Sequence, residues 1–314
     1  MAKRKSKDSS KTAPAKKSKK SAGGSKGDDR VVGKDTSLRE LLRVPSGPVT
    51  VADFDPGAMP GFPGKGKADA PAQAALIEER LSDLQERLYA NGRESSDAPR
   101  VLVVLQGMDT SGKGGVIRHA IGMVDPQGIS LKAFKAPTAA ERRHDFLWRI
   151  RREVPQAGMI GIFDRSQYED VLIGRVDELV PVEEWKQRYQ QINDFEAELV
   201  EQGTRVVKCF LNISRDEQKA RLMERLDNPE KYWKYKPGDV DSRSKWGAYM
   251  EAYGDALQQC NRDSAPWYVI PSDRKWYRNW AVAQILLEVL EEMDLTWPEA
   301  DFDVAEEKRR VEHS

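Results

Sequence analysis

The stretch VLVVLQGMDTSGKGGVIRHAI, residues 101–121, decides the fold of this chain. Its first five residues are apolar and mostly β-branched, which predicts a strand buried on both faces, as in a parallel sheet. The strand leads directly into GMDTSGK, residues 107–113, which is a GxxxxGK motif followed by apolar residues at helical spacing. A strand, a glycine-rich turn and a helix in this order predict a loop that binds phosphate groups.

Each residue type in this loop has a physical role. Gly107 and Gly112 let the backbone curl so that successive N–H groups point at one anion. The following helix adds the positive end of its dipole, and Lys113 places a cation against the terminal phosphates. We therefore expect Lys113 to be catalytic and the loop to bind the phosphates of a nucleotide or a similar polyanion.

The loop departs from the usual motif after the lysine. A Ser or Thr hydroxyl normally holds Mg²⁺ there, whereas this chain has Gly114. Another oxygen must then hold the metal. Asp109 is the charged candidate within the loop, and Thr110 and Ser111 are uncharged alternatives.

A second acidic motif follows about 50 residues later. The apolar stretch GMIGIF, residues 158–163, ends in Asp164, where a P-loop fold places a carboxylate that holds Mg²⁺. The alternative is that Asp164 only caps the next helix. Arg165 can neutralise charge on the transferred phosphoryl group. Arg118, one turn into the first helix, either does the same or faces solvent.

Strand and helix patterns alternate along the rest of the chain. The pattern predicts βαβ units with right-handed crossovers, and hence an α/β fold with a doubly wound parallel sheet. Further strands are predicted at residues 129–134, 159–163, 205–211 and 267–270, and helices at residues 72–90, 115–124, 139–154, 183–202 and 276–293.

The composition divides the chain into segments. Residues 1–30 contain eleven Lys or Arg against three Asp and almost no large apolar residue, so residues 1–34 are predicted to be a disordered basic tail. It holds a polyanion, serves as a localisation tag or solubilises the chain. The remaining segments are an extended Pro/Gly-rich arm and a helix (35–100), a P-loop domain (101–300) with a charged, aromatic-rich insertion (214–265), and a charged tail (301–314).

The composition also excludes several classes of protein. No apolar stretch is long enough to span a bilayer, and no signal peptide is recognisable. Two cysteines and three histidines give neither a disulfide framework nor a zinc site, so we expect a cytoplasmic protein.

Several motifs together resemble the family-2 polyphosphate kinases. They are GMDTSGKGG (107–115), FDRSQYEDVL (163–172) and the run from Glu217-Gln through APW and IPSDRKW (217–276), and the likeness extends over about residues 84–290. The resemblance implies a three-layer α/β/α P-loop kinase fold, similar to thymidylate kinase, with a helical lid within 214–265. It also implies Mg²⁺-dependent, reversible phosphoryl transfer between inorganic polyphosphate and a nucleotide, with Mn²⁺ as a substitute metal.

The resemblance assigns roles to particular residues. Asp109 and Lys113 match the loop aspartate and lysine of the family, and Asp164 and Arg165 match its second acidic motif. Four lid cations match positions that meet phosphates or polyphosphate: Arg221, Arg225, Lys234 and Arg243. The implied partners are polyphosphate, adenine or guanine nucleotides and a second copy of the chain, with no membrane and no specific nucleic acid.

Two questions stay open at the level of sequence. The segment YEDV (168–171) resembles members that phosphorylate both AMP and ADP, but Asp164 and Gln167 stand where many of those have Asn and His. The lid segment KYWKYK (231–236) also fits a packed helix or a single-strand nucleic-acid surface. An ATP-dependent kinase of a nucleotide or small metabolite is the alternative function.

Overall fold

Five parallel strands form the centre of the protein, which we describe for residues 36–314 of a computed structural model. The strands are β1 (Arg100–Gln106), β2 (Ile129–Ala133), β3 (Ile160–Asp164), β4 (Thr204–Asn212) and β5 (Trp267–Pro271). Their order in the sheet is β2-β3-β1-β4-β5, so β1 is central. The sequence therefore predicted all five strands to within one residue or so at each end.

Helices connect the strands. They are α1 (Leu38–Leu42), α2 (Ala70–Glu94), α3 (Lys113–His119), α4 (Trp148–Arg151), α5 (Ile173–Val176), α6 (Val182–Glu201), α7 (Arg215–Asp227), α8 (Pro237–Ser244), α9 (Trp246–Gln259), α10 (Lys275–Glu291) and α11 (Val304–Glu312). No helix within residues 36–314 is both long enough and apolar enough to cross a bilayer.

The helices cover both faces of the sheet. Along β1, Val101, Val103 and Leu105 point into a core shared with α2, α3 and α10. The alternate residues Leu102 and Val104 point into a second core shared with α6 and α9. Because successive side chains of a strand point to opposite faces, one apolar strand supplies both cores. The predicted three-layer α/β/α architecture is confirmed.

Two predicted helices are shorter than the apolar pattern suggested. The predicted helix at 139–154 is two short pieces, a 3₁₀ turn Glu141–Arg143 and α4. His144 is extended between them, and the Asp145 carboxylate accepts a hydrogen bond from Leu147 N, which starts a new turn. The helix predicted at 115–124 ends at His119 and is followed by a 3₁₀ turn, Ile121–Met123.

The two ends of the described chain also differ from the sequence prediction. The arm expected to be extended contains α1 and a 3₁₀ turn, Val51–Asp53. It is fixed to the sheet edge, because Leu38 is buried and Val44 N donates to the Trp267 carbonyl at 2.9 Å. The expected C-terminal tail contains α11. The predicted basic tail, residues 1–34, lies outside the described residues.

The insertion at 214–265 has two parts. Helix α9 packs on the sheet, where the Tyr253 ring lies 4.6 Å from the Phe210 ring between centroids. By contrast, α7, a 3₁₀ turn (Pro229–Lys234) and α8 present many exposed side chains, including Trp233, which is 77% exposed. We therefore restrict the term lid to residues 215–244.

Candidate active site

The sheet topology places the candidate site at the carboxyl end of β1. The connections that follow β1 and its neighbour β3 run to opposite sides of the sheet, from β1 to β2 and from β3 past β1 to β4. Such a divergence makes a crevice of the kind where α/β sheets bind ligands. Leu105 pairs with Asp164 across the β1–β3 ladder, so the loop after β1 starts beside the second acidic motif. Sequence positions about 55 residues apart are thereby brought together.

Two glycines of the loop have no room for a side chain. Gly107 has φ +149° and Gly112 has φ +110°. A Cβ on Gly107 would lie 2.7 Å from the Leu211 carbonyl oxygen, and one on Gly112 would lie 1.8 Å from a guanidinium nitrogen of Arg278. The glycines thus permit both the turn and its close packing on β4 and α10.

Lys113 begins α3 and reaches back over the loop. Its Nζ donates to the Gly107 carbonyl at 2.8 Å. Burial lowers the pKa of Lys113, and the charge of Arg165 lowers it further, while Asp109, Asp164 and Glu169 oppose the shift. The ammonium therefore belongs to the same electrostatic cluster as both acidic motifs.

Arg165 joins the loop to the second acidic motif. Its guanidinium lies 2.9 Å from an Asp109 carboxylate oxygen and 3.6 Å from one of Glu169. The charge of Glu169 is the main cause of the raised pKa of Arg165, and burial opposes it. The backbone of Arg165 has φ +65°, a conformation that non-glycine residues adopt at a cost and that is enriched at functional sites.

A cavity of about 1010 Å³ adjoins this cluster. Its wall includes Arg165, together with Arg149, Arg188, Asp170, Phe146 and Phe195. Burial raises the pKa of Asp170 to about 6, outweighing the attraction of Arg188 at 3.0 Å and Arg149 at 4.0 Å. The cavity therefore combines cations, a carboxylate and apolar rings.

Comparison with known proteins gives a consistent result. The family model for Polyphosphate kinase 2 (PPK2) matches residues 65–298. The chain belongs to the polyphosphate kinase 2 family.

Two sequence relatives support this membership. The AMP/ADP-polyphosphate phosphotransferase of Meiothermus ruber is 46% identical over 268 residues, which are 85% of this chain and 97% of the relative. The ADP-polyphosphate phosphotransferase of Rhodopseudomonas palustris is 43% identical over 233 residues, covering 70% and 79% of the two chains.

A crystal structure of polyphosphate kinase 2 from Arthrobacter aurescens TC1 has the same fold. It superposes with a TM-score of 0.86 at 52% identity, over 90% of this chain and 99% of that one. The fold and the phosphotransferase class predicted from the motifs are thereby confirmed.

The four lid cations that the family resemblance singled out differ in burial and in hydrogen-bond partners. Arg221 is only 6% exposed. Its guanidinium donates to the carbonyls of Thr110 at 2.9 Å and Ser111 at 3.2 Å, and to those of Ser272 at 2.7 Å and Asp273 at 3.0 Å. In this structure, Arg221 ties the phosphate loop to the end of β5.

The other predicted cations either form hydrogen bonds within the lid or are exposed. Arg225 donates to the Lys234 carbonyl and to Asp239, and Arg243 donates to the Arg215 carbonyl and to Gln218. Lys234 is exposed in the lid, and Arg118 is exposed on α3. The exposure of Arg118 favours the solvent-facing alternative.

Sequence reasoning missed the residues that support the loop from below. Arg278 is 3% exposed and donates to the Ser111 carbonyl at 2.9 Å, and Gln218 donates to the Asp109 carbonyl at 3.1 Å.

Lys208, a fully buried cation that sequence reasoning also missed, interrupts the apolar strand β4. That last residue was a visible signal, because a charged side chain in a buried strand requires a partner.

The residues of the loop fit a divalent metal. Asp109 and Asp164 offer the carboxylates that hard cations prefer, and the Thr110 and Ser111 hydroxyls are buried without a hydrogen-bond partner. Within residues 36–314 no cluster of three His, Cys, Asp or Glu side chains forms a complete metal site. Mg²⁺ commonly uses one or two carboxylates and takes its other ligands from phosphates and water.

Proposed function

We propose that this chain transfers the terminal phosphoryl group of inorganic polyphosphate to AMP or ADP, with Mg²⁺ or, in its place, Mn²⁺. The observation that carries the proposal is the position of Arg165, which pairs with Asp109 of the phosphate loop and also lines the cavity. One guanidinium thus contacts the loop that would hold one phosphate chain and faces the cavity that would hold the other. A family with polyphosphate phosphotransferases among its named members supports this reading.

The cavity suits the nucleotide. Its volume of about 1010 Å³ is at the upper end of the range for small-molecule pockets. The rings of Phe146 and Phe195 supply apolar wall for a base, and Arg149 and Arg188 supply cations for the α-phosphate or ribose end. We assign the acceptor to this cavity and the polyphosphate to the phosphate loop and the lid.

The reaction needs positioning and charge neutralisation more than proton transfer. The nucleophile is a terminal phosphate oxygen of the acceptor, already anionic near pH 7, so no strong general base is required. Lys113 and Arg165 stabilise the negative charge that develops on the transferred group. When bound, the metal neutralises phosphate charge, and Asp109 and Asp164 are the residues that would hold it.

The products contain one phosphoanhydride in place of another, so transfer is readily reversible. The relatives differ in the acceptor that their names give, which is AMP and ADP for one and ADP for the other. The YEDV segment leads us to propose both acceptors for this chain. Guanine nucleotides and a homo-oligomer belong to the same proposal.

The experiment is incubation of the purified protein with Mg²⁺ and long-chain polyphosphate, with AMP and ADP in separate reactions, followed by chromatography of the nucleotides. ADP and then ATP formed from AMP would support the full proposal. ATP formed from ADP alone would restrict the acceptor and contradict the YEDV argument. Transfer from ATP but not from polyphosphate would make the protein an ATP-dependent kinase instead.

A further inference from the structure

A fully buried ion pair lies behind the second acidic motif. Lys208 on β4 and Glu196 on α6 are 2.6 Å apart, and their side chains are 0% and 2% exposed. Removing two charges from water is costly, and apolar residues of similar size often serve a core equally well. The pair therefore needs an explanation from the groups around it.

Glu196 accepts hydrogen bonds from the turn that follows Arg165. Its Oε1 accepts from Gln167 Nε2 at 3.0 Å and from the Tyr168 hydroxyl at 2.8 Å, while its Oε2 accepts from Lys208. Gln167 and Tyr168 are the first two residues of the 3₁₀ turn Gln167–Asp170. One carboxylate thus holds two consecutive side chains of the turn.

Lys208 completes the network from the other side. Its ammonium donates to Glu196, to the Tyr168 hydroxyl at 3.0 Å and to the Cys260 carbonyl at 2.6 Å. Cys260 is the C-cap of α9, so the cation also lies at the negative end of that helix. All three ammonium donors are used, and they connect β4 to the turn, to α6 and to α9.

The position of the turn determines where Arg165 points. Arg165 has φ +65°, and such a conformation persists only where its surroundings impose it. A second tie acts just before the turn, where Gln106 donates to Ser166 Oγ at 3.0 Å. The Tyr168 ring also packs against Trp267, with 4.7 Å between centroids. The polar network and these contacts hold the turn against α6, β1, β4 and β5.

We propose that Glu196 and Lys208 are positioning residues for phosphoryl transfer, acting through Gln167 and Tyr168. They fix the turn so that Arg165 meets Asp109 and Glu169 faces the same cluster. The inference rests on the proposed function, since it assigns these residues to that reaction. Misplacement of a reacting group by about 1 Å can lower a rate about 100-fold, so a loosened turn has a measurable consequence.

Three variants test the network by steps. Tyr168→Phe removes one hydroxyl and keeps the ring, Gln167→Leu removes one donor to Glu196, and Glu196→Gln removes the charge. Gln167→His is the rescue variant, because an imidazole N–H can donate where the amide did. Tyr277→Phe is the matched control, since it removes another buried tyrosine hydroxyl bond, the one to the Pro60 carbonyl at 2.8 Å.

We measure kcat and KM for ADP and polyphosphate, with thermal unfolding of each variant. The expected result is a fall in kcat of about 10-fold or more for Tyr168→Phe and Gln167→Leu, with KM values changed less than about twofold. Gln167→His should recover most of kcat. Tyr277→Phe should lower the unfolding temperature by a similar amount to Tyr168→Phe and leave kcat near the wild-type value.

Two results would overturn the inference. The first is wild-type kcat in folded Tyr168→Phe and Gln167→Leu, which would make the network part of the core only. The second is an equal loss of kcat in Tyr277→Phe, which would show a global effect. Because both are judged against an active wild type, they differ from failure of the proposed function, in which the wild-type chain itself transfers nothing from polyphosphate.

Discussion

Two groups of cations, one beneath the phosphate loop and one in the outer part of the lid, are held differently. Beneath the loop, Arg221 from the lid helix α7 and Arg278 from α10 are 6% and 3% exposed and donate to main-chain carbonyls. Farther along the lid, Lys234 is exposed, and so is its neighbour Trp233 at 77%. The first group braces the loop backbone, whereas the second faces solvent.

This difference suits the two tasks of a polyphosphate kinase. Transfer requires the reacting phosphate to be held in one geometry, which buried and fully bonded arginines provide through the loop backbone. A uniform polymer offers no base edges to read, so exposed cations that track its charge suffice for the rest of the chain. The variants below test this division, beginning with the group that meets the reacting phosphate itself.

Lys113→Ala should have the largest effect. Its ammonium lies in the cluster with Asp109, Asp164 and Arg165, where it would stabilise the transition state directly. We expect kcat to fall by about 1000-fold or more. Because burial lowers the pKa of Lys113, the variant should unfold at the wild-type temperature or above it. Activity within tenfold of wild type would exclude a catalytic role, and exposed Lys67→Ala is the control.

Arg165→Lys should have the next largest effect. The substitution keeps the charge but loses the planar guanidinium that reaches both Asp109 and Glu169. We expect kcat to fall about 100-fold, with a smaller change in the KM for polyphosphate. Steady-state kinetics with each substrate varied in turn measures the two separately. A change confined to KM would instead place Arg165 in substrate binding alone.

Arg221→Gln tests the buried cations beneath the loop. Arg225→Gln is its control, because Arg225 lies one helical turn farther along α7. Arg221 bonds four main-chain carbonyls, whereas Arg225 bonds one carbonyl and Asp239. We expect Arg221→Gln to destabilise the fold by about 3 kcal/mol and Arg225→Gln by less than about 1 kcal/mol. Chemical denaturation measures both. Equal stabilities would mean that Arg221 does not brace the phosphate loop.

The fold could be predicted from the sequence because its signals are local. Each buried parallel strand is a short apolar run, as in residues 101–105, and the glycines of the loop occur at fixed spacing. The helix predicted at 139–154 was wrong in extent, since the hydrogen bond from Leu147 N to the Asp145 carboxylate depends on side-chain geometry that periodicity does not encode. Family membership could be predicted as well, because the family motifs lie in this loop and beside these strands and follow one another in a fixed order along the chain.

The site could be predicted only in part. The sequence identified the groups with chemical character, such as Lys113 and Arg165, because residue type and position in the motif carry that information. It placed Arg221 and Lys234 in one class, since sequence records the charge of a side chain and not its hydrogen-bond acceptors. The contacts of Arg278 and Lys208 join elements far apart in the chain, so no local pattern contains them.

Lys234→Ala tests the exposed cations of the lid. An exposed cation contributes about 1 kcal/mol or less, so the KM for polyphosphate should rise about two- to fivefold while kcat and stability remain unchanged. The difference in this KM between the variant and the wild type should shrink as the salt concentration rises from about 0.05 to 0.5 M, because dissolved ions screen the charge of the lysine. A KM effect that persists at high salt would contradict a purely electrostatic role.

Asp170→Asn should change the stability of the protein and not its contacts with polyphosphate, and the size of the change depends on pH. Burial raises the pKa of Asp170 to about 6 in the folded protein, from an ordinary value of 3.8. The folded state therefore binds the proton more tightly than the unfolded chain, and the ionised carboxylate costs stability of up to about 3 kcal/mol above pH 6. Asparagine resembles the protonated acid and avoids that cost.

Thermal unfolding from pH 7.5 to pH 4 measures the consequence. The Asp170→Asn variant should melt a few degrees above wild type at pH 7.5, and the difference should fade between about pH 6 and pH 4 as the wild-type carboxylate takes up its proton. Exposed Asp227→Asn, in the lid, is the control for the loss of a surface carboxylate. A variant that melts below wild type at pH 7.5 would mean that Arg149 and Arg188 stabilise the ionised carboxylate more than burial opposes it.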